Sequence, residues 1–321
     1  MNDRIAAVEA AFKAGHFEDG VALTEALLTD EPKSGAQLYR NFASLLFRRG
    51  RYEDSARWAK TGAEIYPRDS ELWNVLGVSL RRLGRPQEAL QALNAGIKAQ
   101  PKSEALWQNK GNVLNDLKDG PGAIAVFSRL VRQAPTNPEF QRSLGRAHGH
   151  AGELDKAEMR YRLAARLRPD LVDAWLDLSA LQAEAKTPEV AVATLDEAIA
   201  QNPAPRLKEA KALAIRRSNK LRQAEAYLLT VLEDLPDEAW AHHQLGAVIT
   251  DWDRPRANKH LRRAVDLAPD NLDYRMGLVE SLVRSRHGDE AANIDDAYVE
   301  LKLARELGPL VSGPQLKVAS E

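Results

Sequence analysis

The sequence predicts an all-α solenoid of about nine helix-turn-helix repeats, and three observations predict it. Prolines fall on a grid at Pro32, Pro67, Pro101, Pro135, Pro169, Pro203, Pro236, Pro269 and Pro309, with gaps of 35, 34, 34, 34, 34, 33, 33 and 40 residues. A fixed period of this size is the mark of a repeat array, and it has to be tested before any local motif. Composition agrees: 28% of the 321 residues are charged and 6% aromatic, the balance of many amphipathic helices with small contacts between them. Within each period, the same residue types also return at the same places.

The units follow in order. The first, 1–35, carries Gly15, Phe17, Leu27 and Pro32. The second, 36–69, has Ala43, Gly50 and Ser55, and the third, 70–103, has Trp73, Leu76, Gly77, Leu80, Gly84, Ala89, Leu93 and Gly96. The fourth, 104–137, gives Trp107, Gly111, Leu114, Ala123 and Phe127; the fifth, 138–171, gives Leu144, Gly145, Gly152, Ala157 and Tyr161. The sixth, 172–204, has Trp175, Leu178, Ser179, Ala191 and Leu195. The seventh, 205–238, departs from the pattern, with Lys208 and Lys211 where a large aromatic and a leucine recur elsewhere. That departure predicts a local change of twist or a softer joint, unless Leu207, Ala210, Leu213 and Ala214 supply an ordinary face. The eighth, 239–271, places His242 at the tryptophan position, and the ninth, 272–311, carries six extra residues within Ser285–Ile294. In the tail, 312–321, Pro314 is placed to open a further helix. Either that helix leads into a longer protein or the tail is a frayed terminus.

Packing physics accounts for the recurrence. Two helices approach closely only where side chains are small. The small residue at position 8 of each unit is therefore expected to face the small residue at position 20, with large residues at positions 4, 7, 11 and 24 filling the space around them. Gly50, Gly84 and Gly152 are expected to end the first helix of their hairpins in the left-handed conformation. The proline ends the second helix because it cannot extend the hydrogen-bond ladder. Each repeat buries its second face only against its neighbours, so 1–311 is expected to be one continuous array.

These residues resemble the tetratricopeptide repeat family over nearly the whole chain. The resemblance implies a right-handed superhelix whose first helices line a concave groove, with positions 2, 5, 6, 9, 12 and 13 facing inward. Those positions give a candidate partner-binding set of Arg40, Asn41, Asn74, Arg81, Gln108, Asn109, Asn112, Arg142, Arg146 and His243. Asn115, His150 and Trp240 fall on the same face. Amides both donate and accept, which suits a peptide backbone, and arginine adds carboxylate recognition. Position 5 carries no lysine, so a clamp for a chaperone's C-terminal carboxylate is not expected. The array also resembles the repeat arm of O-GlcNAc-transferase-like (SPINDLY-type) glycosyltransferases, which include bacterial flagellin glycosyltransferases. Asn41 and Asn109 match that family's inner asparagine ladder, whereas Val75, Ser143 and Asp177 do not.

The function expected is a non-catalytic scaffold for a protein or peptide, recruiting a substrate such as flagellin to a glycosyltransferase module. The alternative is a free-standing adaptor for a secretion, envelope or flagellar complex. No phosphate-cradling, dinucleotide, zinc-protease or nucleophile-elbow motif is present, so no catalytic residue, cofactor or metal is expected. A net charge of −1 gives no field for nucleic acid. The absence of cysteine and of any long apolar run fits a cytoplasmic protein without a membrane segment. His148 and His242 are expected to be structural. Trp73, Trp107 and Trp175 share the core period and are packing residues, while Trp240 and Trp252 lie off it.

Overall fold

The computed structural model describes residues 2–283 and 290–307, and every element among them is a helix. They form two compact units, Met1–Arg168 and Pro169–Glu321. The first holds five helical hairpins: α1 (Asn2–Lys13) with α2 (Phe17–Asp30), α3 (Ala36–Arg48) with α4 (Tyr52–Ile65), α5 (Ser70–Arg82) with α6 (Pro86–Ala99), α7 (Glu104–Asp116) with α8 (Gly120–Gln133), and α9 (Pro138–His150) with α10 (Leu154–Leu167). The second holds four: α11 (Val172–Ala185) with α12 (Pro188–Gln201), α13 (Pro205–Arg217) with α14 (Leu221–Asp234), α15 (Ala239–Ile249) with α16 (Arg254–Leu267), and α17 (Leu272–Val283) with α18 (Glu290–Leu307). The boundary falls between the fifth and sixth hairpins, not at the seventh. Of the predicted insertion, residues 285–289 lie outside the described residues, as does the tail at 312–321.

Local chemistry starts and stops the helices. Asp69, Ser103, Asp119, Asn137 and Asp253 cap α5, α7, α8, α9 and α16 by accepting from backbone N–H groups of the first turn. Gly50, Gly84 and Gly152 take φ of +76°, +70° and +76°, as the turn requires. Lys118 and Asn219 occupy the same turn position at +58° each without a glycine's freedom.

The fourth position of the repeat has a second task besides packing. Its side chain reaches back to the carbonyl of the proline that closed the preceding repeat. Trp73, Trp107 and Trp175 donate Nε1–H to Pro67, Pro101 and Pro169 at 3.0, 2.9 and 3.0 Å. Tyr39, Gln141, His242 and Arg275 do the same toward Pro32, Pro135, Pro236 and Pro269 at 3.1, 2.7, 2.9 and 2.8 Å. Five different residue types fill one role, so the requirement is a long side chain with an N–H or O–H donor. A carbonyl just past the end of a helix, outside its hydrogen-bond ladder, gains its partner this way.

One packing expectation needs correction. The small residue at position 8 is filled mainly by the large residue at position 24, not by the small one at 20. A Cβ added at Gly77 would lie 2.6 Å from Leu93 Cγ, and one at Gly111 would lie 2.6 Å from Phe127 Cε2. At Gly145 the nearest atom is Tyr161 Cδ1, at 2.8 Å. The hollow over the missing side chain is wide enough to seat a ring or a leucine, and burying that surface outweighs contact with a second small residue. Position 20 still approaches the backbone: Ser55 Oγ donates to the Ala43 carbonyl at 2.8 Å. The seventh hairpin meets its departure from the pattern with polar contacts. Lys211 Nζ lies 2.5 Å from Asp196 Oδ1 and 4.2 Å from the centroid of the Tyr227 ring. An ion pair and a cation–π contact thus replace the leucine usual there.

Candidate peptide-binding site

In the first unit α3 touches α5, α5 touches α7 and α7 touches α9, forming one layer. Among the described residues the second helices α2, α4, α6, α8 and α10 make no comparable contacts with one another. In a curved stack the helices that touch lie on the tighter radius. The layer α3–α5–α7–α9 is therefore the concave one.

Several of the predicted binding residues on this layer tie neighbouring repeats together. Asn109 Nδ2 donates to Asn74 Oδ1 at 2.7 Å, across α7 and α5. Arg81 pairs with Asp116. Arg40 Nη1 lies 3.3 Å from Asp69 and 3.1 Å from Glu71, so it holds the carboxylate that caps the next first helix. Asn41 is exposed and accepts from Gln37 of its own helix at 2.6 Å. Gln108 and Asn112 are half-buried, and no hydrogen bond within the chain is recorded for either among the described residues. Arg142 and Arg146 are half-buried on α9, and each interacts with other groups of the chain. The Asn74–Asn109 bond uses one donor and one acceptor, leaving each amide with further capacity. One amide pair and two available amides thus run along α5 and α7, with arginines on α3, α5 and α9.

His243 stands apart from this set, on α15 of the second unit. Its ring packs against Tyr274 at 4.9 Å between centroids, and Gly277 leaves the space it fills. Burial lowers its pKa, Arg216 adds to the effect and Asp273 opposes it.

Some groove residues belong elsewhere. Asn115 is 3% exposed and donates to the Ser143 carbonyl at 3.1 Å. Trp240 is buried among Ala241, Leu245 and Leu228 in the core of the second unit. An indole removes more apolar surface from water when packed inward, and the inward turn of the helix was available to it. His148, expected to be structural, is buried, with Nδ1 2.5 Å from Glu153 Oε2. Sequence reasoning missed Asp69 and Asp116 as partners of the groove arginines. The signal was present: Asp116 follows Arg81 by 35 residues, close to one period.

Residues 5–70 and 74–138 match the family model of the tetratricopeptide repeat. Over those residues the chain carries tetratricopeptide repeats, and the helical-hairpin array continues beyond them, a fold suited to holding a protein or peptide. A tetratricopeptide repeat protein from Parabacteroides merdae shares the fold at a TM-score of 0.54 and 17% identity, covering 77% of this chain and 98% of that one. MamA from Desulfovibrio magneticus RS-1, from residue 41 onward, is 25% identical at a TM-score of 0.49, over 53% of this chain and 96% of its own. YrrB, described as having an unusual peptide-binding site, is 23% identical at 0.47, over 57% and 94%. The curated proteins contain no significant match. Among the described residues no helix is long and apolar enough to cross a membrane, and no group of three His, Asp or Glu side chains could hold a metal ion.

Proposed function

We propose that the first unit binds an extended protein segment along its concave layer. One observation carries this reading: Gln108 and Asn112, half-buried side by side on α7, have no hydrogen-bond partner among the described residues. A polar amide in that setting gains from a backbone donor or acceptor supplied by a ligand. The Asn74–Asn109 pair beside them extends the same chemistry toward α5. Arg142 and Arg146 belong to that surface in this proposal, as residues that read side-chain charge, and His243 is proposed as a separate contact on the second unit.

The scaffold works in the cytoplasm and brings its ligand to a partner module. Recruitment of a substrate such as flagellin to a glycosyltransferase draws only on the likeness at Asn41 and Asn109. Both amides already hold intramolecular bonds, and the adaptor role needs neither of them.

The test places a photo-crosslinking residue at Asn112 or, as a control, at Asn94 on the outer face of α6, in the full chain. A protein captured from Asn112 and not from Asn94, joined through an extended segment, supports the reading. Equal capture from both positions, or capture from Asn94 alone, sinks it.

A further inference from the structure

The outer layer of the first unit carries a charge gradient. Helix α2 has Glu18, Asp19, Glu25 and Asp30 and no cation, a formal −4. Helix α4 carries −1 and α6 is neutral. Helix α8 has Arg129 and Arg132 and no anion, +2. Helix α10 sets Lys156, Arg160, Arg162 and Arg166 against Asp155 and Glu158, again +2.

The basic end also exposes apolar surface. Met159, Leu163 and Leu167 on α10 are 57%, 36% and 37% exposed. They are four residues apart, so they form one stripe along the helix. At the corresponding positions α8 has Ala125, Arg129 and Gln133, and α6 has Gln91, Ala95 and Ala99. Lys156 and Arg166 flank the stripe; Arg166 is exposed, and Lys156 is 58% exposed beside Glu153. The outer face of α2 is the complement in both size and charge. Ala22 and Ala26 are exposed along its middle, Leu23 is 42% exposed beside them, and Asp19 and Asp30, 76% and 63% exposed, stand at its two ends, with Asp30 also 3.0 Å from Arg4 Nη2 of α1.

We infer that the outer face of α10 docks on the outer face of α2 in a second copy of this chain. Large apolar side chains on one helix fit over alanines on the other, the pairing that lets two helices approach. Lys156 and Arg166 meet Asp19 and Asp30 at the ends of the contact. Both faces lie on the convex layer, and two convex surfaces touch only locally, so the contact is one helix against one helix. The two patches differ, which makes the contact heterologous: each copy keeps a free α2 and a free α10, and association continues head to tail unless a ring closes.

Sedimentation velocity on the full chain tests this from micromolar to high micromolar concentration. The sedimentation coefficient should rise with concentration at low salt and stop rising at roughly 0.5 M salt, where the Debye length is only a few Å. The pair Lys156→Glu with Arg166→Glu should weaken association about tenfold or more, as should Asp19→Lys with Asp30→Lys. Mixing these two charge-reversed proteins should restore head-to-tail association in which the two alternate, which neither undergoes alone. Met159→Ser with Leu163→Ser changes only exposed positions and should also abolish association, with circular dichroism unchanged. A chain that stays monomeric throughout overturns the inference and leaves the stripe to a different protein or to solvent. So does association that survives the serine pair, or a mixture that fails to assemble.

Discussion

The close approach at Gly111 sets the tightest packing constraint in the fourth hairpin, because Phe127 and Val126 fill the space its missing side chain leaves. Gly111→Leu should destabilise the chain by about 3 kcal/mol or more, at the upper end of overpacking costs, since an aromatic ring must be displaced. Urea unfolding checks this, and a neutral result would mean the ring has somewhere else to go. At Lys211 the observed contacts reverse the expectation from the repeat pattern. Lys211→Leu restores the usual residue but strands Asp196 and removes the contact to Tyr227. It should lower the melting temperature, whereas the consensus pattern alone predicts a rise. Lys208 differs: its unit follows Pro203 by one residue fewer, so a donor at 208 sits five residues from the proline where the other hairpins with a tryptophan use six. Lys208→Trp is therefore expected to leave stability nearly unchanged.

At the scale of the hairpin, α15 and α16 are joined by two histidines. His242 Nε2 donates to the Pro236 carbonyl, so in the neutral ring Nδ1 is an acceptor. His260 Nδ1, 2.9 Å away, must then be the donor. Burial first, then His242 and the cations Arg256 and Lys259, push the His260 pKa down to about 4, with Asp253 opposing. The folded state thus holds fewer protons than an unfolded chain whose histidines titrate near 6.5. Stability is full above about pH 6.5 and is lost as pH falls from there toward 4. His243, lowered mainly by burial, acts in the same direction. Thermal melts of His260→Gln should show a shallower loss across that window than the parent chain, and an unchanged slope would remove His260 as its cause. The hairpins themselves were legible because proline, glycine and alanine mark backbone events with few alternatives. The latch from position 4 to the proline carbonyl was not, because Tyr, Trp, Gln, His and Arg share a donor but no hydropathy class. Trp240 was misplaced because repeat position alone does not say which way a large side chain turns when its neighbour His242 takes the usual tryptophan role.

Across the molecule, the candidate site was legible as a surface and less so as a set of contacts. Spacing put Arg40, Asn74, Arg81 and Asn109 on one layer, but it could not show that they are partly spent on holding repeats together. Such bonds fix the spacing of the helices, and a preorganised layer costs a ligand less ordering on binding. The central claim is that this layer, and not the outer one, holds the ligand. The most direct measurement is the affinity of the full chain for peptides selected on it from a random library. Gln108→Ala with Asn112→Ala removes two amides from the concave layer, and Gln91→Ala with Asn94→Ala removes two from the outer face of α6. The account predicts that the first pair weakens binding about tenfold or more, roughly 1.4 kcal/mol, with little change in salt dependence, and that the second pair leaves it unchanged. Normal binding by the first pair together with a loss in the second would contradict it.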